Sequence, residues 1–288
     1  MRYAVNNWIY GDEPLRETFA RLSRYGYDGI EFVGEPSRFP TSEVKELCEQ
    51  YDLPVTSVLG WCIWGIPGRD LANPDDDERR AAIRYGQECI DFAAEVGAPV
   101  VIVIPAAAGR TSPIGDPRSE DDWTSRYQAE WDYAVESIRQ AAAYASERGI
   151  VLALEPINRY ETFLVTHLEQ ALRFLSDVSA DNLKLNLDTF HMNIEEPSLS
   201  EAVLRAGDLL VSMHISDSNR QAPGRGHMDY AALLAALKQI DYQGALVLEP
   251  VPPGSDPILV SQFSQNLPLR DTYAEEGIKH LKRVEQAL

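Results

Sequence analysis

At 288 residues, 44% of them apolar, the chain has ample material for a large core, while 26 Lys and Arg against 45 Asp and Glu leave a formal charge of −19. That acidic balance argues against a nucleic acid or an anionic membrane as partner, since either would want a basic face. The opening MRYAVNNWIY lacks the charged-then-apolar layout of a signal peptide, and no apolar run approaches the ~20 residues of a membrane span, so a cytoplasmic protein is expected.

In chain order, a first strand is expected over residues 3–9, then a helix over 14–25 that Pro14 opens and Gly26 stops. A second strand covers 29–33. Thr41-Ser42-Glu43 opens the second helix with capping residues and an early acid, which suit the positive end of the helix dipole. The third strand, 55–59, feeds an aromatic loop, Trp61-Cys62-Ile63-Trp64, and Asn73-Pro74-Asp75 starts a helix that runs to Val96 before Gly97. Residues 100–104 form an almost purely β-branched run, as a strand buried on both faces should. The stretch 105–122 is rich in Gly, Pro and small residues, and at that length it reads as a functional loop.

A fourth helix over 123–148 stops at Gly149. Strands five to eight follow over 150–154, 183–187, 210–215 and 245–248, separated by helices over 167–178, 199–206 and 230–240, with a last helix over 272–287. Cys48 and Cys89 fall in helical patterns as core residues, and with Cys62 they show no metal-type spacing. Eight strand–helix units at roughly thirty-residue intervals, with no linker between them, specify an α/β chain folded as a single (β/α)8 TIM barrel domain over 1–288. Two stacked open α/β sheets are the alternative, and the absence of a boundary counts against them.

Four strands of the second half end on a ligand-capable side chain: Glu155, Asp188, His214 and Glu249. In a (β/α)8 barrel the C-terminal strand ends converge on one mouth, where active sites sit. One such ending is as readily a helix cap or a surface charge. Four in succession are not. Three carboxylates and an imidazole in a confined space call for a cation, and their oxygen-rich character favours Mn²⁺, Mg²⁺ or Co²⁺ over a thiolate-seeking ion, with zinc a poorer fit. Glu161, His191 and Arg220 follow these ends by six, three and six residues and would stand in the loops above the cation. His167 reads as a helix-start residue, His280 as a surface helix residue, and His227 as a rim residue without an assigned role.

The stretches from Glu155 to Glu161, from Asn186 to Glu196, from His214 through Asn219-Arg220 to Gly226, and Leu248-Glu249-Pro250 closely resemble the ketose 3-epimerases. Those enzymes, acting on D-tagatose, D-allulose or L-ribulose, belong to the xylose isomerase-like sugar isomerases and epimerases. The resemblance implies one divalent ion, Mn²⁺ first with Co²⁺ or Mg²⁺ as alternatives, on Glu155, Asp188, His214 and Glu249. It implies epimerisation of a free ketose at C3 through a cis-enediolate, with Glu155 and Glu249 as the acid–base pair. Glu161, His191 and Arg220 would contact the sugar near O1 and O2, and a homodimer or homotetramer is expected.

The first half departs from that pattern. Pro105-Ala106-Ala107-Ala108-Gly109 stands where these enzymes usually carry a Trp, and Val251 where an aromatic is common. Trp8, Trp61 and Trp64 would compensate by lining the pocket from strands one and three, with Trp8 and Trp64 as substrate-binding residues. An aldose–ketose isomerase or a lyase subunit for 3-keto-glycosides would use the same enediolate. A metal-dependent endonuclease would need a basic face and more histidines, and a barrel that only binds sugar would have no use for a complete acid–base pair.

Overall fold

The computed structural model describes residues 1–61, 66–254, 259–260 and 262–288. Parallel strands pair in sequence order and close on themselves: β1 (Arg2–Asn6), β2 (Gly29–Val33), β3 (Val55–Leu59), β4 (Val100–Val103), β5 (Val151–Leu154), β6 (Leu183–Asp188), β7 (Leu210–Ile215) and β8 (Ala245–Leu248). Closure comes from β1 lying parallel to β8, with Val5 opposite Leu248. A clasp holds that seam: the N-terminal ammonium and the Tyr3 hydroxyl both reach Glu285, at 2.5 and 2.7 Å. The fold is the expected (β/α)8 barrel.

Helices α1 (Leu15–Tyr25), α2 (Thr41–Tyr51), α3 (Asp76–Val96), α4 (Glu120–Ser146), α5 (Leu168–Val178), α6 (Thr189–Glu195), α7 (Leu199–Ala206), α8 (Tyr230–Gln239) and α9 (Leu267–Gln286) complete the units. Local chemistry sets their ends. Asp75, Ser119, Ser198 and Asp229 accept first-turn N–H groups of α3, α4, α7 and α8. Gly26 and Gly97 turn left-handed after α1 and α3. Among the described residues no helix is long and apolar enough to cross a membrane.

Strand residues alternate between two cores. Outward ones join the helices in a layer that includes Phe32, Phe92, Trp131 and Phe174. Inside the barrel, Leu59, Val100, Ile102 and Ala153 form one cluster, and Ala4, Ala245 and Val247 another. Towards the C-terminal strand ends the buried residues turn polar: Asn6, Glu31, Ser57, Glu155, Asp188, His214 and Glu249. Two register shifts set up that layer. Ile30 pairs with Val55 but Glu31 with Ser57, and Leu185 pairs with Leu210 but Asn186 with Ser212. Thr56 and Val211 are therefore the extra residues of β-bulges, which bring Ser57 beside Glu31 and His214 opposite Asp188.

Several boundaries differ from expectation. The first strand ends at Asn6, because the Asn6 side chain caps a 3₁₀ turn over Asn7–Tyr10 by accepting the Trp8 N–H at 2.9 Å. Helix α4 starts at Glu120, three residues early, since Ser119 caps it and Glu120, Asp121 and Asp122 suit its dipole. Helix α9 starts at Leu267, five residues early. Helix α6, which carries His191, was not expected at all, and Asp188 is its cap.

Helix α3 passes so close to the loop after β3 that a Cβ on Gly86 would lie 1.7 Å from the Trp61 ring. Trp61 is fully buried, has a φ of 55°, and donates its indole N–H to the Ala82 carbonyl at 3.0 Å. Gly86→Ala should displace the indole and lower the thermal midpoint by several degrees. Overpacking costs ~1–3 kcal/mol, and each kcal/mol is about 2–4 °C for chains of comparable size. Thermal melts together with Trp emission check this; an unchanged melt and spectrum would show that the helix can move aside.

Candidate active site

Glu155 directly follows β5, Asp188 ends β6, His214 lies near the end of β7, and Glu249 directly follows β8. None is more than 2% exposed. The His214 ring is their meeting point: Nδ1 lies 3.1 Å from Glu155 Oε1 and 3.5 Å from Glu249 Oε2. Its other nitrogen, Nε2, lies 3.0 Å from Oε1 of Glu31. Glu31 was not anticipated, although its signal was present: a single acid in the otherwise apolar strand Gly29–Val33, every residue of which is buried.

Arg220 closes the cluster from the loop after β7. Its Nη1 donates to Asp188 Oδ2 at 2.5 Å and its Nη2 to Glu249 Oε2 at 3.1 Å, while the guanidinium lies 4.9 Å from the centre of the Phe190 ring. The Arg220 backbone is left-handed, with φ 62°, a conformation unfavourable for a residue with a Cβ. It is held there by its N–H to Asp217 O and by its carbonyl, which accepts from Val251 N, both at 2.8 Å. Val251 thus serves the site through its backbone. Trp8, on the 3₁₀ turn, donates its indole N–H to Glu249 Oε1 at 2.8 Å.

Glu161 and His191 come together through Asn158, a second residue that the sequence reading missed. Asn158 Oδ1 accepts the Tyr160 N–H, which turns Nδ2 towards Glu161 Oε1 at 2.9 Å and His191 Nδ1 at 2.7 Å. An amide nitrogen only donates, so His191 Nδ1 accepts and its hydrogen sits on Nε2, 3.5 Å from Asp188 Oδ2. His191, expected in a loop, is buried in α6 instead.

Opposing terms act on the charges. Burial alone would weaken the His214 base, but Glu249, Glu155 and Glu31 outweigh it and hold its pKa well above the ordinary value. Burial also works against ionised Asp188, yet Arg220, His191, His214 and the Phe190 N–H keep it below the usual carboxylate range. Glu249 is pushed up to about 7, by burial first and by Glu31 and Asp188 next, against His214 and Arg220. A buried carboxyl in that state marks a deficit of positive charge.

That deficit, with the donor set, fits a divalent cation. Donor atoms of Glu31, His214 and Glu249 lie within 4.8 Å of one another, as do those of Glu155, Asp188 and His191. The four expected ligands divide between these two groups, and the His214–Glu155 contact joins them. All donors are oxygen or imidazole nitrogen, which hard and borderline ions prefer.

Trp61 does not line the pocket as expected, being buried against α3, and Trp64 lies outside the described residues. The loop after β4 is firmly tied. Gly109 N donates to Glu161 O at 2.6 Å, and Arg110 pairs with Asp70 at 2.9 Å and Glu130 at 2.5 Å. His280 is half-buried, its ring 5.5 Å from that of Tyr230. A cavity of about 610 Å³ opens at the opposite end of the barrel, among Arg2, Asp28, Gly207 and Tyr242. In such barrels that face serves stability rather than chemistry.

Comparison with known proteins identifies the family. Residues 19–284 match the family described as xylose isomerase-like TIM barrel. D-psicose 3-epimerase of Agrobacterium fabrum is 40% identical over 86% of this chain and 82% of its own. 3-Dehydro-D-guloside 4-epimerase of Escherichia coli is 31% identical over 86% of this chain and 92% of its own. The crystal structure of D-allulose 3-epimerase from Methylomonas sp. in complex with D-allulose superposes with a TM-score of 0.82 at 29% identity, covering 98% of this chain and 96% of that one. The chain belongs to the xylose isomerase-like TIM barrel family, among the carbohydrate isomerases that include the ketose 3-epimerases.

Proposed function

We propose that the protein epimerises free ketoses at C3 with the help of one divalent metal ion. The observation that carries this reading is the meeting of Glu155 and Glu249 on one nitrogen of His214, at 3.1 and 3.5 Å, from the ends of two non-adjacent strands, β5 and β8. Inversion at a carbon needs two such groups, one to take a proton and one to return it on the opposite face. The names of the relatives, D-psicose and D-allulose 3-epimerase, support the substrate class.

A divalent ion on Glu155, Asp188, His214 and Glu249, with Mn²⁺ the first choice for these donors, would supply the Lewis acidity that makes the C3 proton removable. Glu155 and Glu249 exchange roles as base and acid with the direction of reaction. The His191 Nε2–H and the Arg220 guanidinium orient the carbonyl end and share the negative charge that develops there. Glu161, held by Asn158, accepts a hydrogen bond from a hydroxyl at that same end. Trp8 fixes the Glu249 carboxylate and supplies apolar wall.

A second reading, epimerisation at C4 of a 3-keto-glycoside, draws on a specific feature. The loop after β4 carries only small side chains at Ala106, Ala107 and Ala108, where less bulk would suit an aglycone, and the E. coli relative is named for such a substrate. The chemistry would be the same at a neighbouring carbon.

The metal set should be visible without turnover. Metal-free protein should take up one equivalent of Mn²⁺ and melt higher, by ~2.7 kcal/mol when free ion is a hundredfold above Kd. Glu249, at about 7, and the raised His214 both hold protons that the ion must displace. Affinity should therefore strengthen between about pH 6 and 8, with proton release in calorimetry. Full uptake by an Asp188→Ala, His214→Ala double variant would sink the assignment.

Glu155→Gln and Glu249→Gln should each cost at least ~10² in rate, the usual worth of general acid–base catalysis, and should weaken metal binding less. Either variant retaining more than about a tenth of the activity would remove its residue from the proton transfer.

Substrate class is decided by incubation in deuterated water with ribulose, fructose, tagatose, their phosphates and a 3-keto-glucoside. Deuterium should enter C3 of the free ketoses, with pentuloses and hexuloses within about a hundredfold, because a lost methylene contact is worth only ~1–3 kcal/mol. Phosphates should be poor, since Arg220 is already engaged by Asp188 and Glu249. Label only at C4 of the keto-glucoside would establish the second reading.

A further inference from the structure

We propose that Glu31 is a positioning residue for metal binding. It would hold the Nε2–H of His214 so that the Nδ1 lone pair faces Glu155 and Glu249. The inference rests on the metal reading above.

A neutral imidazole carries one N–H and one lone pair, and only the bare nitrogen can bind an ion. In His214 the two nitrogens have separate company: Nδ1 has Glu155 and Glu249, and Nε2 has Glu31 at 3.0 Å. A carboxylate on Nε2 keeps the hydrogen there, fixes the ring plane and raises the basicity of the opposite nitrogen.

Glu31 is equipped for that task. It is fully buried. Oε1 accepts from Asn6 Nδ2 at 2.6 Å as well as from His214, and Oε2 accepts from the Ser57 hydroxyl. The amide of Asn6 is itself oriented, because its Oδ1 takes the Trp8 N–H at 2.9 Å. From Trp8 the indole N–H continues to Glu249. A chain of hydrogen bonds thus runs from His214 through Glu31, Asn6 and Trp8 to Glu249.

The donor atoms of Glu31, His214 and Glu249 also lie within 4.8 Å of one another, so a direct ligand role for Glu31 is the competing assignment. The contacts disfavour it. Both Glu31 oxygens already take hydrogens from Asn6, Ser57 and His214, and its link to His214 uses the nitrogen turned away from Glu155.

The test uses Co²⁺, whose visible bands report ligand number and geometry. Glu31→Gln keeps the size and an acceptor oxygen but loses the charge. It should weaken Co²⁺ binding ~10–100-fold, the usual effect of removing such a partner, while the band intensities of the loaded protein stay those of wild type. Glu31→Ala should weaken binding further. If the Glu31 variants do not fold, Ser57→Ala, which frees one Glu31 oxygen, should weaken binding in the same direction by a smaller factor. Unchanged affinity in the folded Glu31 variants, or in Ser57→Ala where that variant has to stand in for them, would assign Glu31 a packing role and overturn the proposal. Bands altered as strongly as in Asp188→Asn would make Glu31 a ligand and overturn it as well. Wild-type protein that binds no Co²⁺ would instead remove the metal reading on which the proposal stands.

Discussion

Four carboxylates, Glu31, Glu155, Asp188 and Glu249, are packed around one imidazole with almost no access to water. Like charges at such spacing in a weakly screening interior repel by several kcal/mol per pair. The rest of the mouth answers that constraint. Asn6 and Ser57 direct hydrogens at Glu31, Trp8 directs one at Glu249, Arg220 serves both Asp188 and Glu249, and His214 reaches three. The barrel makes the crowding possible, because inward-facing residues of its tilted strands stack in layers at the mouth, and the bulges at Thr56 and Val211 adjust their register. A cation that drew these carboxylates together would relieve their repulsion and stabilise the fold around them.

Above that layer, backbone geometry rather than charge sets positions. Arg220 is held left-handed by two backbone hydrogen bonds, so its guanidinium arrives already aimed. Asp217 holds the same loop, accepting from the backbone of Ser218, Gly224 and Met228 and remaining below the usual carboxylate range through those bonds despite its burial. Asn158 ties Glu161 to His191, and Gly109 ties the loop after β4 to Glu161. Preorganisation of this sort lowers the entropy lost when a substrate is gripped. It is concentrated on the side where the carbonyl end of a sugar would lie.

Strand ends were legible in the sequence because a polar residue that closes an apolar run interrupts its periodicity. Glu155, Asp188, His214 and Glu249 announced themselves that way. Glu31 did not, since it sits inside a strand with apolar neighbours on both sides, where a charge looks like an interruption rather than an ending. Asn158 was hidden for another reason: an amide between Ile157 and Arg159 has no pattern, and its value lies in bridging two residues 30 positions apart, Glu161 and His191. The turn that carries Trp8 was masked by the apolar alternation continuing past Asn6, and α6 by its length of only seven residues. For Glu31 and Asn158 the missing information was a contact between segments distant in sequence.

The two proposed acid–base residues are not equivalent. Glu249 accepts from Trp8 on one oxygen and from Arg220 on the other, whereas the Glu155 side chain has His214 as its hydrogen-bonding partner among the described residues. A carboxylate with both oxygens engaged is fixed in orientation, and one with a single partner keeps an oxygen free to follow a moving hydrogen. Epimerisation, whose two directions exchange base and acid, requires that both remain competent. Here the asymmetry lies in positioning: Glu249 is part of a rigid wall with Trp8 and Arg220, and Glu155 is the more adjustable partner. Under the proposed function, the carbon inverted would depend on where a sugar sits along that wall. The same charge cluster is therefore compatible with chemistry at C3 of a short ketose or at C4 of a longer keto-glycoside.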